Sequence, residues 1–349
     1  ATVALARGMM RMASRNALIN RLSSVETLGA TGVIFTDKTG TLTENRMNVE
    51  RLVTRDGTLK IQLNDDRSRA SYFRDEEEIS PESDPALKKM LEIAVLCNNA
   101  SLPEENGEPE RGGGLGDPVE VALLELAMRS GIDYRPLHKD YPEEREESFD
   151  PESKMMATFN RKQDRWMVSV KGAPDRVLEG CTRILDGSGT GELSEEDRGE
   201  WMEKNRELAA EGYRLLALAH KEVSGIEEDP YRELVLVGLA AFRDPPRREM
   251  DKTMEACRTA GIRVVMVTGD HEETARHVAR AVNLTGSEEV NVLYGPDLRD
   301  PESASEDLRR KWLDGDVFAR VTPKQKLDLI ELHQKEGAIV AMTGDGVND

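Results

Sequence analysis

Aromatic residues and cysteines are scarce in this 349-residue chain, and each scarcity excludes a class of protein. Phenylalanine, tryptophan and tyrosine together make up 4% of the sequence. The three cysteines, Cys97, Cys181 and Cys257, are isolated and show no metal-ligand spacing. A disulfide-stapled scaffold and a cysteine-based zinc module are therefore excluded, and we expect buried, reduced thiols of a cytosolic environment.

Long apolar runs and an excess of basic residues are also lacking. No run reaches the roughly 18 apolar residues that a membrane-spanning helix needs, so we expect no membrane crossing within these residues. The 48 basic and 67 acidic residues give a net charge of −19. That balance excludes the basic surface of a nucleic-acid-binding protein. It fits a surface that handles cations or metal-bound phosphates, or it serves solubility alone.

Three short apolar runs, each followed by a threonine and an aspartate, are the strongest signal present. The runs GVIFTD, RVVMVTGD and AIVAMTGD end at Asp37, Asp270 and Asp345. Short uninterrupted apolar runs predict strands that are buried on both faces of a parallel sheet. Ligands of such sheets bind at the carboxyl ends of the strands. We therefore expect the three aspartates to converge on one acidic, hydroxyl-rich site.

The pattern along the chain predicts two domains. Strand and helix patterns alternate from about 240 to 349, which predicts a doubly wound parallel α/β sheet. The region 52–235 mixes short two-period segments with helices, an α+β pattern. The simplest architecture is an α/β domain in two pieces, 1–51 and 236–349, with the α+β domain inserted between them. Crossing strands near 49–53 and 236–243 are expected to form a two-stranded hinge.

The two ends of the chain carry separate expectations. Residues 1–28 predict one amphipathic, stalk-like helix, which is either a membrane-surface helix or a helix with a plain solvated face. Its polar side carries Arg7, Arg11, Arg15 and Arg21. The sequence starts inside this helical pattern and stops in a polar loop, so we expect both ends to be cuts rather than natural termini.

The turn after the first apolar run has the residue types of a phosphate site. Asp37 stands at the predicted strand end, and Thr39 and Gly40 follow in the turn DKTGTLT. A carboxylate placed there can act as a nucleophile, and the N–H groups of the turn can hold phosphoryl oxygens. An ordinary strand-to-loop turn uses the same residue types. The short motif alone leaves both interpretations open, and the full seven residues after VIFT favour the phosphate site.

Several motifs together resemble the P-type cation-transporting ATPases, a branch of the haloacid dehalogenase-like phosphotransferases. The run DKTGTLTENRM resembles that family's phosphorylation signature, and TGD at 268–270 and GDGVND at 344–349 resemble its later motifs. DPPR at 244–247 is similar to its hinge, and RVTPKQK at 320–326 to the segment with its phosphate-binding lysine. The resemblance covers the whole chain, and KGAP together with TENRM favours the type II branch of calcium and sodium–potassium pumps. It implies a haloacid dehalogenase-like phosphorylation domain with an inserted nucleotide-binding domain.

The resemblance implies a role for each residue of the phosphorylation site. Asp37 accepts the terminal phosphoryl group of ATP, and Lys326 offsets phosphate charge. Asp37 and Asp345, with the carbonyl of Thr39, hold Mg²⁺, a hard ion that prefers oxygen ligands. A nucleophile, a metal and positive charge are what phosphoryl transfer requires. Supporting residues, for which a loop-capping role is the alternative, are Thr268, Gly269 and Asp270 beside the phosphate, Asp349 near the metal, and Arg320 and Asn348 toward the nucleotide.

A second set of motifs in the inserted region implies an ATP site. They are GDPVEVAL from 116, FDPESK from 149 and KGAPD from 171. The implied nucleotide-binding residues are Glu120, Phe149, Lys154, Lys171 and Arg214. In the family the glutamate reaches the adenine amino group and the phenylalanine stacks on adenine, although a lone phenylalanine is as easily a core residue. No GxxxxGK[ST] loop is present, so a P-loop ATPase is excluded.

Position 39 separates the competing functions. Simple phosphatases of the superfamily carry a second aspartate there as acid and base, whereas Thr39 cannot take a proton from water at neutral pH. An aspartyl-phosphate should therefore persist until the family's actuator domain supplies a glutamate. The alternatives are a soluble haloacid dehalogenase-like phosphatase or phosphotransferase, and a non-catalytic nucleotide-binding regulatory module. The intact Asp37, Lys326 and Asp345 count against the last.

The resemblance also implies partners and a location. We expect the fragment to lie on the cytoplasmic side of a membrane protein, with ATP as substrate and Mg²⁺ as cofactor. The actuator and transmembrane domains of the same polypeptide are the expected missing partners, together with a transported cation, which we take to be calcium. No nucleic-acid partner is expected.

Overall fold

Two separate β-sheets organise the chain in the computed structural model, which describes residues 2–21, 23–64, 68–105, 108–109, 114–298 and 304–344. The chain divides into two compact units. The flanking unit comprises Ala1–Asn45 and Pro245–Asp349, and the inserted unit comprises Arg46–Asp244. The helices in the described residues are α1 Thr2–Ala13, α2 Ser23–Gly29, α3 Pro85–Leu96, α4 Pro118–Arg129, α5 Tyr134–Asp140, α6 Pro174–Gly180, α7 Glu195–Ala210, α8 Met250–Thr259, α9 Glu272–Ala281, α10 Glu306–Leu313 and α11 Pro323–Lys335.

The strands belong to the same described part of the chain. They are β1 Val33–Asp37, β2 Asn48–Thr54, β3 Gly57–Leu63, β4 Ala70–Arg74, β5 Glu77–Ile79, β6 Glu104–Glu105, β7 Glu108–Pro109, β8 Glu143–Asp150, β9 Met155–Lys162, β10 Arg165–Gly172, β11 Cys181–Asp186, β12 Gly189–Glu192, β13 Arg214–Val223, β14 Leu234–Arg243, β15 Arg263–Val267, β16 Val292–Tyr294, β17 Val317–Ala319 and β18 Val340–Thr343.

The flanking unit contains a five-stranded sheet in the order β16-β17-β15-β1-β18, and its paired strands are all parallel. Val264 and Met266 of β15 pack in one apolar cluster with α8 and α9. Val265 and Val267 pack in a second cluster with α10 and α11. Helices cover both faces of the sheet, so the strand residues that point to either face are buried. This explains why the apolar run is uninterrupted. The predicted parallel α/β sheet is confirmed at this level.

Strand order places the ends of β1 and β15 side by side. Asp37 is the last residue of β1 and lies opposite Val267 of β15, and Thr36 lies opposite Thr343 of β18. Parallel strands bring their carboxyl ends to one edge of the sheet. The first two predicted aspartates therefore share that edge. Asp345, the third, lies outside the described residues.

The inserted unit is built on an eleven-stranded sheet whose main path runs β5-β4-β3-β2-β14-β13-β10-β9-β8. Pairs along this path are antiparallel, and β11 adds a parallel pairing with β14. Helices α3 and α4 pack in the apolar cluster on one side, and α6 and α7 in another. The predicted α+β character of this region is confirmed. Two helix-covered clusters also give the unit its own core.

The two strands predicted as a separate hinge are central strands of this sheet. Strands β2 and β14 pair antiparallel, with Val53 opposite Leu239, and nine of the ten residues of β14 are buried. Such burial requires neighbours on both sides, so both strands lie entirely within the inserted unit. The boundaries between the compact units therefore fall after residues 45 and 244, whereas the sequence predicted them after residues 51 and 235. The roles assigned to the two domains stay predictions.

The prediction of a single helix over residues 1–28 is wrong, because the structure has two helices there. Helix α1 ends at Ala13, and α2 begins at Ser23. Asn16 takes a left-handed backbone conformation with φ of 62°, and the N–H of Ala17 bonds back to the carbonyl of Met12. A left-handed residue with such a back-bond is a common way to end a helix. Among the described residues, no helix is both long enough and apolar enough to cross a bilayer.

Candidate functional site

The carboxylate of Asp37 is buried and held by two donors at the end of β1. Its Oδ1 accepts a hydrogen bond of 2.6 Å from the backbone N–H of Lys38. Its Oδ2 lies 2.5 Å from the Nζ of Lys326, in a salt bridge between side chains that are 11% and 7% exposed. Lys326 comes from the first turn of α11, which Thr322 and Gln325 fix through a capping box. A predicted nucleophile and a predicted phosphate-binding lysine are thus in direct contact.

The turn after Asp37 is tightly closed and fixed from outside. Gly40 has φ of 74°, a conformation that favours glycine, and the N–H of Thr43 bonds to the carbonyl of Lys38 at 3.1 Å. Arg247 of the DPPR motif donates from Nη2 to the carbonyl of Gly40 at 2.7 Å. Its backbone N–H donates to the carbonyl of Leu42 at 2.9 Å. The arginine predicted as part of a hinge therefore also stabilises the turn after Asp37, a contact that sequence reasoning missed.

Lys38 joins the turn to the second predicted motif. Its Nζ lies 2.6 Å from Oδ2 of Asp270, and the lysine side chain is 8% exposed. The hydroxyl of Thr268 accepts from the N–H of Asp270 at 3.2 Å, with Gly269 between them. The N–H of Thr268 donates to the carbonyl of Phe318, so the predicted contact of Thr268 with a phosphoryl oxygen would use its hydroxyl. Sequence reasoning did not assign Lys38 a role, although it stands inside the signature.

Arg320 lies at the same edge of the sheet. Its N–H donates to the carbonyl of Asp270 at 3.0 Å, and its φ is 56°. One guanidinium nitrogen contacts the ring of His271, with 3.2 Å to Nδ1. The structure therefore brings together Asp37, Lys326, Asp270 and Arg320, from segments far apart in sequence. Lys326 contacts the Asp37 carboxylate directly, whereas the side chains of Lys38 and Arg320 contact Asp270 and His271 at the same edge. Positive charge in this position suits a predicted phosphate.

The donor set near Asp37 fits Mg²⁺ in chemical type. The carboxylate of Asp37 and the carbonyl of Thr39 are hard oxygen ligands, which this ion prefers. The other predicted ligands, Asp345 and Asp349, lie outside the described residues, as does Asn348. Within the described ranges, no three histidine, cysteine or carboxylate side chains cluster closely enough to hold a metal ion. The magnesium site therefore stays a prediction.

In the inserted unit, the start of α4 meets the end of β10. Asp117 caps the helix by accepting from the N–H of Val119, and Glu120 lies in its first turn. The Nζ of Lys171 lies 2.5 Å from Oε1 of Glu120 and donates to the carbonyl of Cys97 at 2.6 Å. The lysine side chain is 7% exposed and the glutamate 13%. Two predicted nucleotide-binding residues therefore form one nearly buried pair.

The FDPESK turn is bonded directly to the KGAP segment. Lys154 has φ of 58°, and its carbonyl accepts from the N–H of Ala173 at 3.0 Å. A side chain at Gly172 would place a Cβ only 2.5 Å from that carbonyl, so glycine is required there. Phe149, at the end of β8, is 58% exposed. It is therefore not a core residue, and its ring is available for stacking. Arg214 is exposed at the start of β13, the strand beside β10.

Phe149→Ala is expected to weaken ATP binding by about 1 kcal/mol or more, because the mutation removes an aromatic stacking surface. Its side chain is largely exposed, so the free energy of unfolding should change little. Calorimetric titration of ATP into the folded chain measures the effect. Tyr294→Ala, which removes an exposed aromatic ring from the flanking unit, is the matched control. An unchanged dissociation constant for Phe149→Ala would contradict the stacking role.

Comparison with known proteins shows similarity along the entire chain. Residues 86–249 match the family described as P-type ATPase, cytoplasmic domain N. Over its full length the chain is 36% identical to the calcium-transporting ATPase of Bacillus subtilis and 35% identical to calcium-transporting ATPase 1 of Lactococcus lactis. It is also 35% identical to the sodium/potassium-transporting ATPase subunit alpha of Drosophila melanogaster. The chain spans 39%, 37% and 37% of the lengths of these relatives. The predicted resemblance is confirmed.

Proposed function

We propose that this chain, a relative of the P-type cation-transporting ATPases over its whole length, is the part of a cation pump that binds ATP and accepts its terminal phosphoryl group. The inserted unit binds the nucleotide. The flanking unit is a doubly wound, haloacid dehalogenase-like phosphorylation domain, and Asp37 is its nucleophile. The single observation that carries the proposal is the contact of 2.5 Å between the buried carboxylate of Asp37 and the ammonium group of Lys326.

The chemistry follows from that contact. A carboxylate oxygen of Asp37 attacks the terminal phosphorus in line, a new oxygen–phosphorus bond forms, and the bond to the bridging oxygen breaks as ADP leaves. Phosphoryl oxygens carry the negative charge during transfer, and positive groups aimed at them lower the barrier. Lys326 already touches the nucleophile, so its ammonium group is placed beside the phosphoryl oxygens. Bound Mg²⁺, held by Asp37, Thr39, Asp345 and Asp349, would neutralise further phosphate charge.

The neighbouring residues favour a lasting phosphoenzyme over a phosphatase. Hydrolysis of an aspartyl-phosphate needs a base that activates water. Position 39 offers a threonine, and Asp270 is held in a salt bridge with Lys38. We assign this pair the role of fixing the turn. The phosphoryl group therefore waits for a base from elsewhere in the polypeptide, as the cycle of a pump requires.

The transported ion is proposed from the relatives. Two of the similar proteins carry calcium in their names, and the whole chain aligns with each of them. Because the chain spans less than two-fifths of these proteins, we place the ion sites, the membrane helices and the actuator domain outside it. The net charge of −19 fits a surface that handles cations or metal-bound phosphates. We place the chain on the cytoplasmic side of the membrane because the resemblance implies it. Calcium is the cation that we propose.

Labelling with phosphate-labelled ATP tests this function directly. The full chain is incubated with ATP labelled in its terminal phosphate and with Mg²⁺, and then quenched in acid. We expect an adduct that hydroxylamine removes, because hydroxylamine cleaves acyl phosphates, on the peptide that contains Asp37. An analogue with a non-transferable terminal phosphate should bind without labelling. A label that resists hydroxylamine, or that maps to another peptide, would contradict the proposal.

A further inference from the structure

A buried carboxylate in α4 is not explained by either predicted site. Glu125 is 3% exposed and lies in an otherwise apolar part of the helix. Its Oε2 contacts the guanidinium of Arg46 and lies 3.2 Å from that of Arg129, one turn further along α4. Removing one partner from a buried ion pair is costly, because the remaining charge stays away from water. The contact with Arg46 therefore joins the helix to a residue 79 positions away in sequence.

Arg46 stands where the chain enters the inserted unit. It is the first residue of that unit, and Asp244 is the last. The backbone N–H of Arg46 donates to Oδ1 of Asp244 at 3.1 Å. The residues at which the chain enters and leaves the unit are thus joined to each other. Through the Arg46 side chain, both are also joined to α4.

The opposite end of α4 carries the predicted nucleotide-binding residue. Glu120 pairs with Lys171 in the first turn, and Glu125 follows five residues later in the same helix. Five residues of α-helix span about 7.5 Å, so the two glutamates lie close together on one hydrogen-bonded element. A shift of α4 at Glu125 therefore displaces Glu120 as well. The position of Glu120 therefore depends on what holds Glu125.

We propose that Glu125 is a positioning residue that fixes α4 for ATP binding through its ion pair with Arg46. The same contact couples nucleotide binding to the Arg46–Asp244 junction. Coupling of this kind is reciprocal, so bound ATP must in turn stabilise the junction. The inference rests on the proposed function, since it takes the Glu120–Lys171 pair to be the nucleotide site.

Two substitutions in the full chain test the coupling. Glu125→Gln and Arg46→Gln should each weaken ATP binding by about tenfold, within the usual range of coupling between sites. The double variant should bind no more weakly than Glu125→Gln alone, because both changes break one contact. Amide hydrogen exchange at residues 46–50 and 240–244 should slow when ATP binds the wild-type chain. The same segments should not respond in Glu125→Gln.

Two variants show whether a loss of ATP affinity comes from a displaced α4 or from an unfolded chain. Asp84→Asn removes a carboxylate that is also buried, 5% exposed and paired with Arg74 at 2.6 Å in the same unit, and it should keep ATP affinity unchanged. Asparagine also preserves the cap of α3. The Arg46 side chain is 25% exposed, and Glu125 keeps Arg129 in Arg46→Gln, so that variant should fold even where Glu125→Gln does not.

A small phosphoryl donor distinguishes this inference from the proposed function. Acetyl phosphate can label Asp37 without a nucleotide site, so its labelling rate should be equal in the wild type and in both variants. ATP affinity equal to that of Asp84→Asn would overturn the inference while leaving the labelling of Asp37 intact. An equal loss of labelling from ATP and acetyl phosphate would also overturn it. Failure of the wild-type chain to bind ATP would refute the proposed function itself, and this inference with it.

Discussion

Replacing Asp37 by asparagine is expected to lower the rate of phosphoryl transfer to the protein by a factor on the order of 10⁴ or more. The amide oxygen is neutral and is a far weaker nucleophile than a carboxylate. ATP affinity should stay unchanged, because the predicted nucleotide-binding residues Glu120, Phe149 and Lys171 lie in the other unit. Acid-quenched labelling with ATP measures transfer, and calorimetry on the same sample measures binding.

Two further substitutions show whether the loss comes from the chemistry of residue 37. Asp37→Glu keeps the carboxylate but moves it by one methylene, so it should also lose nearly all labelling, because in-line attack tolerates little displacement. Asp251→Asn removes an exposed carboxylate from α8 and should label like the wild type. Thermal unfolding of each variant checks that the fold is kept. A hydroxylamine-sensitive label on the Asp37→Asn variant would move the nucleophile to another residue.

The flanking sheet was predictable because its strands are buried on both faces. The runs that end at Asp37 and Asp270 became β1 and β15. Uniform burial makes such runs apolar without interruption, and the polar residues after them mark the strand ends. The resemblance then implied a role for Lys326. Its contact with Asp37, across 289 positions, came only from the structure.

Other elements were not predictable, for reasons that differ. The apolar run of β14 shows burial, but periodicity does not reveal which sheet buries it, and the structure places it in the antiparallel sheet of the inserted unit. Strand β8 has the sequence EEREESFD, which lacks apolar alternation. It is a strand because its backbone pairs with β9 at the edge of the sheet. Tertiary pairing overrides weak local preference in such cases.

The partners in the ion pairs around the candidate sites were also not predictable from the sequence. Glu125 is the one charged residue of the apolar stretch VALLELA, and nothing in the sequence indicates Arg46 as its partner. Lys38 lies inside the signature itself, but its salt bridge to Asp270 depends on the order of β1 and β15 in the sheet. Long-range contacts are fixed by topology, which composition and spacing do not encode.

Lys326→Met is expected to slow phosphoryl transfer by a factor on the order of 10² to 10³, the usual cost of removing one group that stabilises transition-state charge. Methionine is similar in length and fills the buried space of the lysine, so the change removes charge rather than volume. The loss should fall on the rate at saturating ATP and leave the half-saturating ATP concentration nearly unchanged, because Lys326 acts at the phosphoryl group. Rapid-quench labelling over a range of ATP concentrations separates the two quantities.

The neighbouring Lys324 provides a matched control, because it lies two positions earlier in α11 and is exposed. Lys324→Met should label at the wild-type rate. Lys326→Arg keeps a positive charge but replaces a compact ammonium with a planar guanidinium, so it should recover only part of the rate. Equal rates for Lys326→Met and Lys324→Met would mean that the 2.5 Å contact with Asp37 is a structural ion pair. The proposed phosphoryl transfer would then require another source of positive charge, and Lys38 is the nearest candidate because it adjoins Asp37 in the same turn.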